Sequence, residues 1–513
     1  MISRSEMNAF LKKEPEFEDM SLSQQAISKQ PAAMLAETRR VIALARKFNE
    51  EVVRPHALTL DVTMQKDPNY LPWDFVKKAN EWGFYTLWIP KLFGGQGYNL
   101  PSISSFLEEI ASECLAMANL IGVHYLGFAV AVSTWNARLI NRLCRDTIEG
   151  EKKGEPCLIS LALTEPSAGT DIEETDLMDR GTITCHAKKV EGGYLVNGSK
   201  VFISNGHLSR WHILIAFTDV KKPSESTVML AVETGSKGFS FGRTEKKMGQ
   251  KACPASELMF DNCFIPEGNA LFNAEQGGSL KRGVRKTNMQ IIDYYFAASR
   301  AAVGAFGIGA ARGAYREALA YATKTSLSGR LLINHEWVQC LLAEMYKNVA
   351  LSRLAYIEAN YATGMHGMYK LIQQKQLYYL TKLTPKFLLD RIVPPLLEIP
   401  FVTTLLRKFY FDMQTEREIE ITSGLASMAK FAGTDAGVKN CHLAIELMGQ
   451  QGLRHDMRVE KYLRDAKLLQ IYEGTNQLNR LNLFKNLIAR DIPQFTMFEN
   501  DRNEHPVQSK ERK

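Results

Sequence analysis

The 513-residue chain is 45% apolar and 23% charged, a composition typical of a globular protein with a large core and about two to four domains. Its net charge of +7 suits an anionic ligand or an anionic membrane surface, but neither a zinc-finger spacing nor an RNA-binding aromatic signature supports a nucleic-acid-binding protein. The eight cysteines form no CxxC pair, so we expect buried thiols and neither a disulfide framework nor a metal site.

The pattern of apolar residues changes twice along the chain. After a polar, loosely ordered leader at 1–35, which lacks the apolar segment of a secretory signal, residues 36–150 show helical spacing of apolar residues. Residues 151–280 contain short β-rich runs separated by Gly, Asn, Asp and Pro, residues 281–490 are helical again, and residues 491–513 form a polar tail. This α–β–α order predicts an α+β multidomain protein.

One segment of the last zone differs from its surroundings, from about residue 366 to 417. It is rich in Leu, Phe, Tyr, Lys and Arg, and its least polar stretch, 392–406, contains Glu398 and prolines that should break any helix there. It is too short to span a bilayer, which needs about 20 apolar residues. Two interpretations stay open: helices packed on the core, or an insert that rests on a membrane with aromatic anchors and basic flanks.

Three motifs carry chemistry, and the first is the run LALTEPSAGTD at 161–171. A β run ends at Thr164 and enters a tight turn with Pro and Gly. Such a turn exposes backbone N–H groups and small hydroxyls, which suit a phosphate or the edge of a flavin. Taken alone, the run also fits an ordinary loop after a strand.

The second motif is YLVNGSKVFISNG at 194–206, in which Asn197-Gly198 predicts a hairpin turn between two β runs. Phe202 and Ser204 fall on the same strand face. An aromatic ring beside a hydroxyl can pack on a planar cofactor and hydrogen-bond its rim, although core packing is the commoner use of such a pair.

The third motif is the run RDAKLLQIYEGTNQLNR at 464–480. Glu473-Gly474-Thr475 interrupts an otherwise helical pattern, and Gly474 marks a break at which a carboxylate can point into a cavity. A single Glu at such a break is more often solvated or caps a helix.

These three runs, in this order on an α–β–α chain, resemble those of the acyl-CoA dehydrogenase family over about residues 35 to 490. The resemblance implies an N-terminal helical domain, a central β-barrel-like domain and a C-terminal domain like a four-helix bundle, with FAD bound between domains and between the subunits of a dimer or tetramer. It also implies dehydrogenation of a fatty acyl-CoA to the trans-2-enoyl-CoA, with an electron-transfer flavoprotein as the acceptor.

The resemblance assigns roles to individual residues. Glu473 matches the base that takes the α-proton while the β-hydride passes to flavin N5, and its own backbone N–H and a ribityl hydroxyl of FAD bind the thioester oxygen. Thr170 and Gly474 match positions near the substrate. In a minority of members the base lies on an earlier helix, where the aligned residue here is Ala297. The positions expected to contact FAD are Leu161, Leu163, Thr164, Thr170, Phe202, Ser204, Thr475 and Gln477.

Two small residues predict the length of the acyl chain in the substrate. Medium-chain members have a Gln and a Glu at the floor of the acyl pocket, where this chain has Ala118 and Gly122, four apart on one predicted helix face. Their small size favours a long-chain substrate, although ordinary helix packing also uses Ala and Gly. Long acyl-CoAs partition to membranes, so we expect a cytoplasmic protein, or one that attaches to the inner face of a membrane.

One departure from the family pattern concerns the cofactor. Thr325 stands where most members have an Arg that reaches the FAD pyrophosphate, with Lys324 and Arg330 nearby as substitutes. This predicts looser FAD and leaves alternatives open: a dehydrogenase acting on an acyl-carrier protein, an oxidase- or monooxygenase-like relative, or an acyl-CoA-binding scaffold without FAD.

Overall fold

The structure, a computed structural model, describes Ser23, residues 31–489 and Ile492. Most of the expected leader, 1–35, and all of the expected tail at 491–513 except Ile492 lie outside the described residues. Within the described part, a helical domain, a central sheet and a second helical domain follow one another, which confirms the predicted α+β order.

The N-terminal domain is helical. Its helices in the described part are α1 Ala33–Phe48, α2 Arg54–Lys66, α3 Trp73–Glu81, α4 Ser102–Ala111, α5 Leu115–Ser133 and α6 Ala137–Lys153. Among the described residues, α5 alone is long and apolar enough to cross a membrane, but 78% of its apolar window is buried inside the protein. A helix that is apolar on all sides and buried belongs to the core of a large domain.

The central domain is one eight-stranded sheet. Its strands are β1 Leu158–Ala162, β2 His186–Val190, β3 Gly193–Ser204, β4 Ser209–Phe217, β5 Thr227–Glu233, β6 Phe239–Thr244, β7 Ala255–Pro266 and β8 Ala270–Phe272. They lie in the order β6-β7-β3-β2-β4-β5-β8, with β1 paired in parallel to β4. The edge strands β6 and β8 do not pair with each other, so the central β domain is confirmed as an open sheet and not a closed barrel. Short helices accompany the strands: α7 Thr175–Met178, α8 Pro223–Ser226 and α9 Ala274–Gly278.

The hairpin predicted at Asn197-Gly198 is wrong, because both residues lie inside β3. The turn that joins β2 to β3 comes earlier, where Gly192 has a φ of +77°. Asn197 instead marks an irregularity in the pairing of β3 with β7, where its side-chain oxygen accepts a hydrogen bond from the Asn262 N–H at 2.8 Å. The Asn-Gly pair therefore builds a bulge, the other common use of a Gly inside a strand.

The C-terminal domain is built on long helices that pack side by side. They are α10 Gly283–Ala322, α11 Glu336–Met365 and α16 Glu416–Met448, followed by α17 Val459–Leu469 and α18 Asn476–Leu483. A short hairpin, β9 Ser326–Leu327 and β10 Arg330–Leu331, connects α10 to α11. Gly307 on α10 meets Gly433 on α16, where an added Cβ on either residue would collide with the backbone of the other helix. The two glycines let these helices approach closely.

Four short helices make up the segment that we call the insert, residues 370–408. They are α12 Lys370–Gln373, α13 Lys375–Leu383, α14 Lys386–Leu397 and α15 Pro400–Arg407. The expectation that Pro394 and Pro395 break the helix is wrong, because α14 continues to Leu397. The carbonyls that lose their N–H partners belong to the exposed residues Asp390 and Arg391. Water can therefore satisfy them.

Candidate active site

A cavity of about 910 Å³ lies between α5, the sheet, α10 and the turn that joins α17 to α18. Around this turn the cavity wall carries carboxylates, from Glu473 and Glu173, and the strand ends contribute the hydroxyls of Thr164 and Ser204. Most of the remaining wall is apolar, and α5, α10 and the insert are among the elements that supply it. We call these two parts of the cavity the Glu473 end and the insert end.

The turn with Glu473 has an unusual backbone. Glu473 has a φ of +57° and Gly474 a φ of +73°, so both lie in the left-handed region that a Glu rarely adopts. The turn is held from several sides. Asn479 Nδ2 donates to the carbonyl oxygens of Glu473, at 3.2 Å, and Gly474, at 2.9 Å, and Lys430 Nζ donates to the Gly474 carbonyl at 2.7 Å. Thr475 then caps α18 by accepting from the Leu478 N–H.

The Glu473 carboxylate faces the cavity and has a single side-chain donor among the described residues. Ser299 Oγ, on α10, donates to Glu473 Oε2 at 2.6 Å. Loss of water around the carboxyl raises the pKa of Glu473, and the Ser299 hydrogen bond and the charges of Arg300 and Lys430 oppose that rise. A carboxylate in this state is a stronger base than one in water.

A second carboxylate supports the same turn. Glu173 Oε1 accepts from the Gly474 N–H at 2.9 Å, and Glu173 Oε2 pairs with Arg300 Nη2 at 3.3 Å. Burial raises the pKa of Glu173 to about 7, against the attraction of Arg300 and with a smaller contribution from the negative Glu473. Arg300 in turn donates from Nε to the Glu473 carbonyl at 3.3 Å, so one buried guanidinium joins both residues.

Sequence reasoning missed four of these residues. Arg300 and Lys430 are single cations within the apolar runs AASRAAVG and LASMAKFAG, a pattern that could have indicated buried charges. Ser299, and not the aligned Ala297, is the α10 residue that contacts Glu473. Glu173 lies in the same loop as Thr170, but nothing in a single sequence connects it to a turn 301 residues away.

The residues expected beside FAD fall into two groups. Six of the eight line the cavity, namely Leu161, Leu163, Thr164, Thr170, Phe202 and Ser204. Thr475 is occupied with capping α18, and Gln477 is exposed on that helix, so neither belongs to the cavity wall. Their expected roles stay predictions.

The cavity wall fits a planar aromatic group with a polar rim. The Phe202 side chain is 58% exposed and is held at a φ of +59°, so its ring has an uncovered face on the cavity wall. Within the described residues, the hydroxyls of Thr164 and Thr170 make no hydrogen bond and are available to a ligand. A bare aromatic ring beside free hydroxyls is a donor set that suits an isoalloxazine.

The two small residues of α5 differ in placement. Gly122 lines the cavity, and a Cβ there would lie 2.8 Å from Phe306 Cζ and 3.3 Å from Leu107 Cδ1. Ala118 is fully buried and does not line the cavity. Only Gly122 therefore stands where a larger side chain would enter the cavity.

Thr325 lies on the hairpin side of α10 and not in the cavity wall. Its neighbours Lys324 and Arg330 are exposed, and neither makes an ion pair within the part of the chain that the structure describes. Looser FAD binding therefore stays a prediction, which dialysis against high salt and a flavin assay would check.

Comparison with known proteins agrees with this architecture. Three family models of acyl-CoA dehydrogenases match the chain: the N-terminal domain at 36–138, the middle domain at 160–263, and the C-terminal domain at 289–369 and 403–488. The match to the C-terminal domain skips residues 370–402, which form most of the insert.

Individual relatives cover nearly the whole chain. A probable acyl-CoA dehydrogenase of Mycobacterium leprae (strain TN) is 26% identical over 452 residues, which is 88% of this chain and 95% of the relative. Butyryl-CoA dehydrogenase from Megasphaera elsdenii has a similar fold, with a TM-score of 0.66, 22% identity and coverage of 87% of this chain and 97% of that one. A structure described as the electron transferring flavoprotein of Acidaminococcus fermentans gives a TM-score of 0.67 at 22% identity, over 88% of this chain and 98% of that one.

Proposed function

This chain belongs to the acyl-CoA dehydrogenase family, and we propose that it oxidises long-chain acyl-CoA with Glu473 as its base. Its family membership makes it an FAD-dependent oxidoreductase that dehydrogenates acyl-CoA. One observation carries the proposal: the Glu473 carboxylate projects into a cavity whose remaining wall is largely apolar and extends to the insert.

The chain's own groups are suited to removing a proton from the carbon next to a thioester. Glu473 takes the α-proton, and its raised pKa favours that transfer. The Glu473 N–H makes no hydrogen bond within the described residues, so it is available to the thioester oxygen and can stabilise the negative charge that develops there. The Ser299 hydrogen bond at Oε2 orients the carboxylate.

The residues that would hold FAD are those of the cavity wall. Leu161, Leu163 and Phe202 provide an apolar surface for the flavin ring, while Thr164, Thr170 and Ser204 provide hydroxyls. When bound, FAD supplies the acceptor for the hydride that leaves the β carbon. Desolvation by the acyl chain excludes water from Glu473 during the transfer.

The apolar lining of the cavity supports a long acyl chain. Beyond Gly122 the wall continues along the apolar α5 residues Leu126, Ala129 and Val132 and reaches side chains of the insert. Each methylene buried there contributes about 0.8 kcal/mol, or roughly fourfold in affinity. A butyryl chain would leave most of this apolar wall without contact.

Anaerobic reduction of the bound flavin by acyl-CoAs of graded length tests the proposal. We expect kcat/KM to rise from butyryl to long-chain thioesters and then to level off where the cavity ends. Gly122→Met should move the optimum to shorter chains, because its side chain would enter the cavity beside Phe306. Leu35→Met, at a site 61% exposed on α1, is the matched control. An optimum at butyryl or octanoyl thioesters in the wild type would contradict the long-chain assignment.

We further propose an electron-transfer flavoprotein as the acceptor and a homo-oligomer as the assembly, on the ground of family membership alone. Reoxidation of the reduced enzyme in the presence of an electron-transfer flavoprotein, compared with air alone, tests the acceptor. Rapid reoxidation by air with release of hydrogen peroxide would instead indicate an oxidase.

A further inference from the structure

The insert is fixed along one side to the N-terminal domain and to strand β8 of the central domain. The buried guanidinium of Arg407 donates to the Thr134 carbonyl at 2.9 Å and to the Leu271 carbonyl at 2.7 Å. Just after the insert, the ring of Tyr410 stacks on Trp135 with 3.4 Å between centroids. Helices α13 and α14 lie on the turn Lys91–Phe93, and α14 and α15 lie on α6. Because these helices pack against the two domains along this side, their exposed side chains face away from them.

The outward side of the insert is apolar. Of the 28 large apolar side chains that are exposed among the described residues, nine lie between residues 379 and 405. Such a concentration on one element marks an interaction surface, since exposed apolar residues are otherwise scattered. The most exposed are Leu380, Leu383, Phe387, Ile392, Phe401 and Leu405, with Leu383 at 79% and Phe387 at 69%.

Cations surround these apolar side chains. Residues 370–408 contain seven Lys or Arg and two acids, Asp390 and Glu398, which gives 7 − 2 = +5. Lys375, Arg391 and Lys408 are exposed and make no ion pair within the described residues. Phe and Leu on short helices, with unpaired Lys and Arg beside them, are the composition of a segment that lies in the headgroup region of a bilayer.

We propose that the outward face of the insert docks on an anionic lipid bilayer. Its helices are at most 12 residues long, so the insert would rest at the interface and not span the bilayer. Anionic headgroups would neutralise the unpaired cations, and the exposed Leu and Phe side chains would enter the acyl boundary. In the cell this corresponds to attachment at the inner face of a membrane.

The charge argues against a second copy of the chain as the occupant. A symmetric dimer through this face would bring the unpaired cations Lys375, Arg391 and Lys408 of one copy close to those of the other, and like charges at an interface are unfavourable. An anionic bilayer is complementary both to the charge and to the apolar side chains.

The inward side of the same helices suggests what docking achieves. Leu377 on α13, Leu397 on α14, and Val402 and Leu406 on α15 line the insert end of the cavity. Docking would therefore place that end of the cavity beside the lipid phase, where long acyl chains partition. This consequence rests on the proposed function, whereas the docking itself does not.

Flotation of the full-length FAD-loaded protein with vesicles tests the docking. We expect it to float with vesicles of phosphatidylcholine mixed with phosphatidylglycerol, to stay at the bottom with phosphatidylcholine alone, and to be released by high salt, which screens the attraction. Absence of the wild type from the anionic vesicles would overturn the proposal. Failure of the docking proposal would leave the long-chain assignment intact, because flavin reduction in solution tests that assignment separately.

Two sets of variants test whether the outward face of the insert binds the vesicles. The charge variant Lys375→Glu/Arg391→Glu/Lys408→Glu should bind anionic vesicles at least about fivefold more weakly for each cation lost. Its control is Lys221→Glu/Lys222→Glu/Lys237→Glu, which makes the same charge change at exposed positions of the β domain. The apolar variant Leu380→Ser/Phe387→Ser should also lose binding, whereas Leu453→Ser/Phe264→Ser should keep it.

All the replaced side chains are exposed, so none of these variants should unfold the protein. Leu380 and Leu453 are both 62% exposed. None of the replaced residues lines the cavity, so flavin reduction by a soluble acyl-CoA serves as the check of folding. Equal loss of flotation in the control variants would contradict docking through the insert. Docking on a membrane would also be contradicted if the wild type did not float and instead formed larger oligomers that the apolar variant fails to form.

Discussion

At the Glu473 end of the cavity, hydrogen bonds hold the backbone turn and both carboxylates, whereas at the insert end the wall is held by apolar contact. The backbone of Glu473 and Gly474 is held in a strained conformation by donors from Asn479, Lys430 and Arg300. By contrast, the side chains that α13, α14 and α15 contribute to the cavity are Leu and Val.

The proposed function accounts for this difference. Proton transfer needs one carboxylate within hydrogen-bonding distance of the substrate, and a misplacement of about 1 Å costs on the order of 10²-fold in rate. Accommodating an acyl chain needs only apolar volume, which many sequences can supply. Residues 289–369 and 403–488 match the family model, and the skipped residues 370–402 include most of the insert's cavity-lining side chains.

The largest effect is expected from removing the base. Glu473→Gln keeps the size of the side chain and a donor-acceptor group for Ser299, so FAD and thioester binding should persist. Flavin reduction should fall by about 10²–10⁴-fold or more, for every acyl chain length alike. Stopped-flow reduction measures this. A variant that reduces the flavin at a near wild-type rate would show that Glu473 is not the base.

The second effect concerns stability and pH at the Glu473 end. Burial raises the pKa of Glu173 from its ordinary value of 4.5 to about 7, so between these pH values the folded chain holds a proton that the unfolded chain has released. The free energy of unfolding should therefore fall as pH rises through this window, by up to about 3 kcal/mol from this group. Glu473, whose pKa is also raised, adds to the same slope.

Glu173→Gln should flatten that slope, because Gln does not titrate. Denaturant unfolding at a series of pH values measures it, with Glu275→Gln, an exposed position on α9, as the control. If the wild type and Glu173→Gln showed the same pH dependence, Glu173 would not be buried in the neutral form that its surroundings favour.

The two ends also differ in how far the sequence alone could predict them. The motif with Glu473 and the runs with Thr164 and Phe202 gave the location of the cavity wall, because each combines a break in the secondary structure with a specific side chain. Ser299 and Lys430 could not be assigned, because their contacts with the turn join residues far apart in sequence. The helical and strand-rich zones were predictable because the 3.6- and 2-residue periodicities report burial directly.

At the insert end, composition indicated an unusual segment but could not distinguish packing on the core from contact with a membrane. The structure shows a buried apolar side and an exposed apolar side on the same short helices. Leu397 is 8% exposed and lines the cavity, whereas the neighbouring Leu396 is 49% exposed on the outward side. Which face of a short helix is buried depends on its docking against other elements, and that information is absent from a run of Leu and Phe.

A smaller effect is expected from the hydroxyl that contacts the base. The Ser299 hydrogen bond stabilises the ionised carboxylate, so Ser299→Ala should raise the pKa of Glu473 further. Because the base acts only when deprotonated, the acidic limb of the kcat/KM profile should move to higher pH and the rate near neutral pH should fall. Ser299→Thr, which keeps a hydroxyl, should restore the wild-type profile. An unchanged profile in Ser299→Ala would mean that Ser299 does not set the ionisation of the base.

The smallest effect, and the most selective one, is expected at the insert end. Val402 on α15 lines the cavity, whereas Thr404 on the same short helix is exposed. Val402→Phe should fill part of the insert end and exclude the last methylenes of a long acyl chain, at a cost of about fourfold in kcat/KM for each methylene excluded. Butyryl-CoA should react as it does in the wild type, because its chain does not reach this wall. Thr404→Phe adds the same ring to the same helix on the outward side and should leave kcat/KM unchanged for every acyl chain length.

Changes at the Glu473 end would then affect all substrates equally, and changes at the insert end would affect only long ones. An equal loss for butyryl and long-chain substrates in Val402→Phe would show that the two ends are mechanically coupled, and the insert would then belong to the catalytic structure and not only to the acyl pocket.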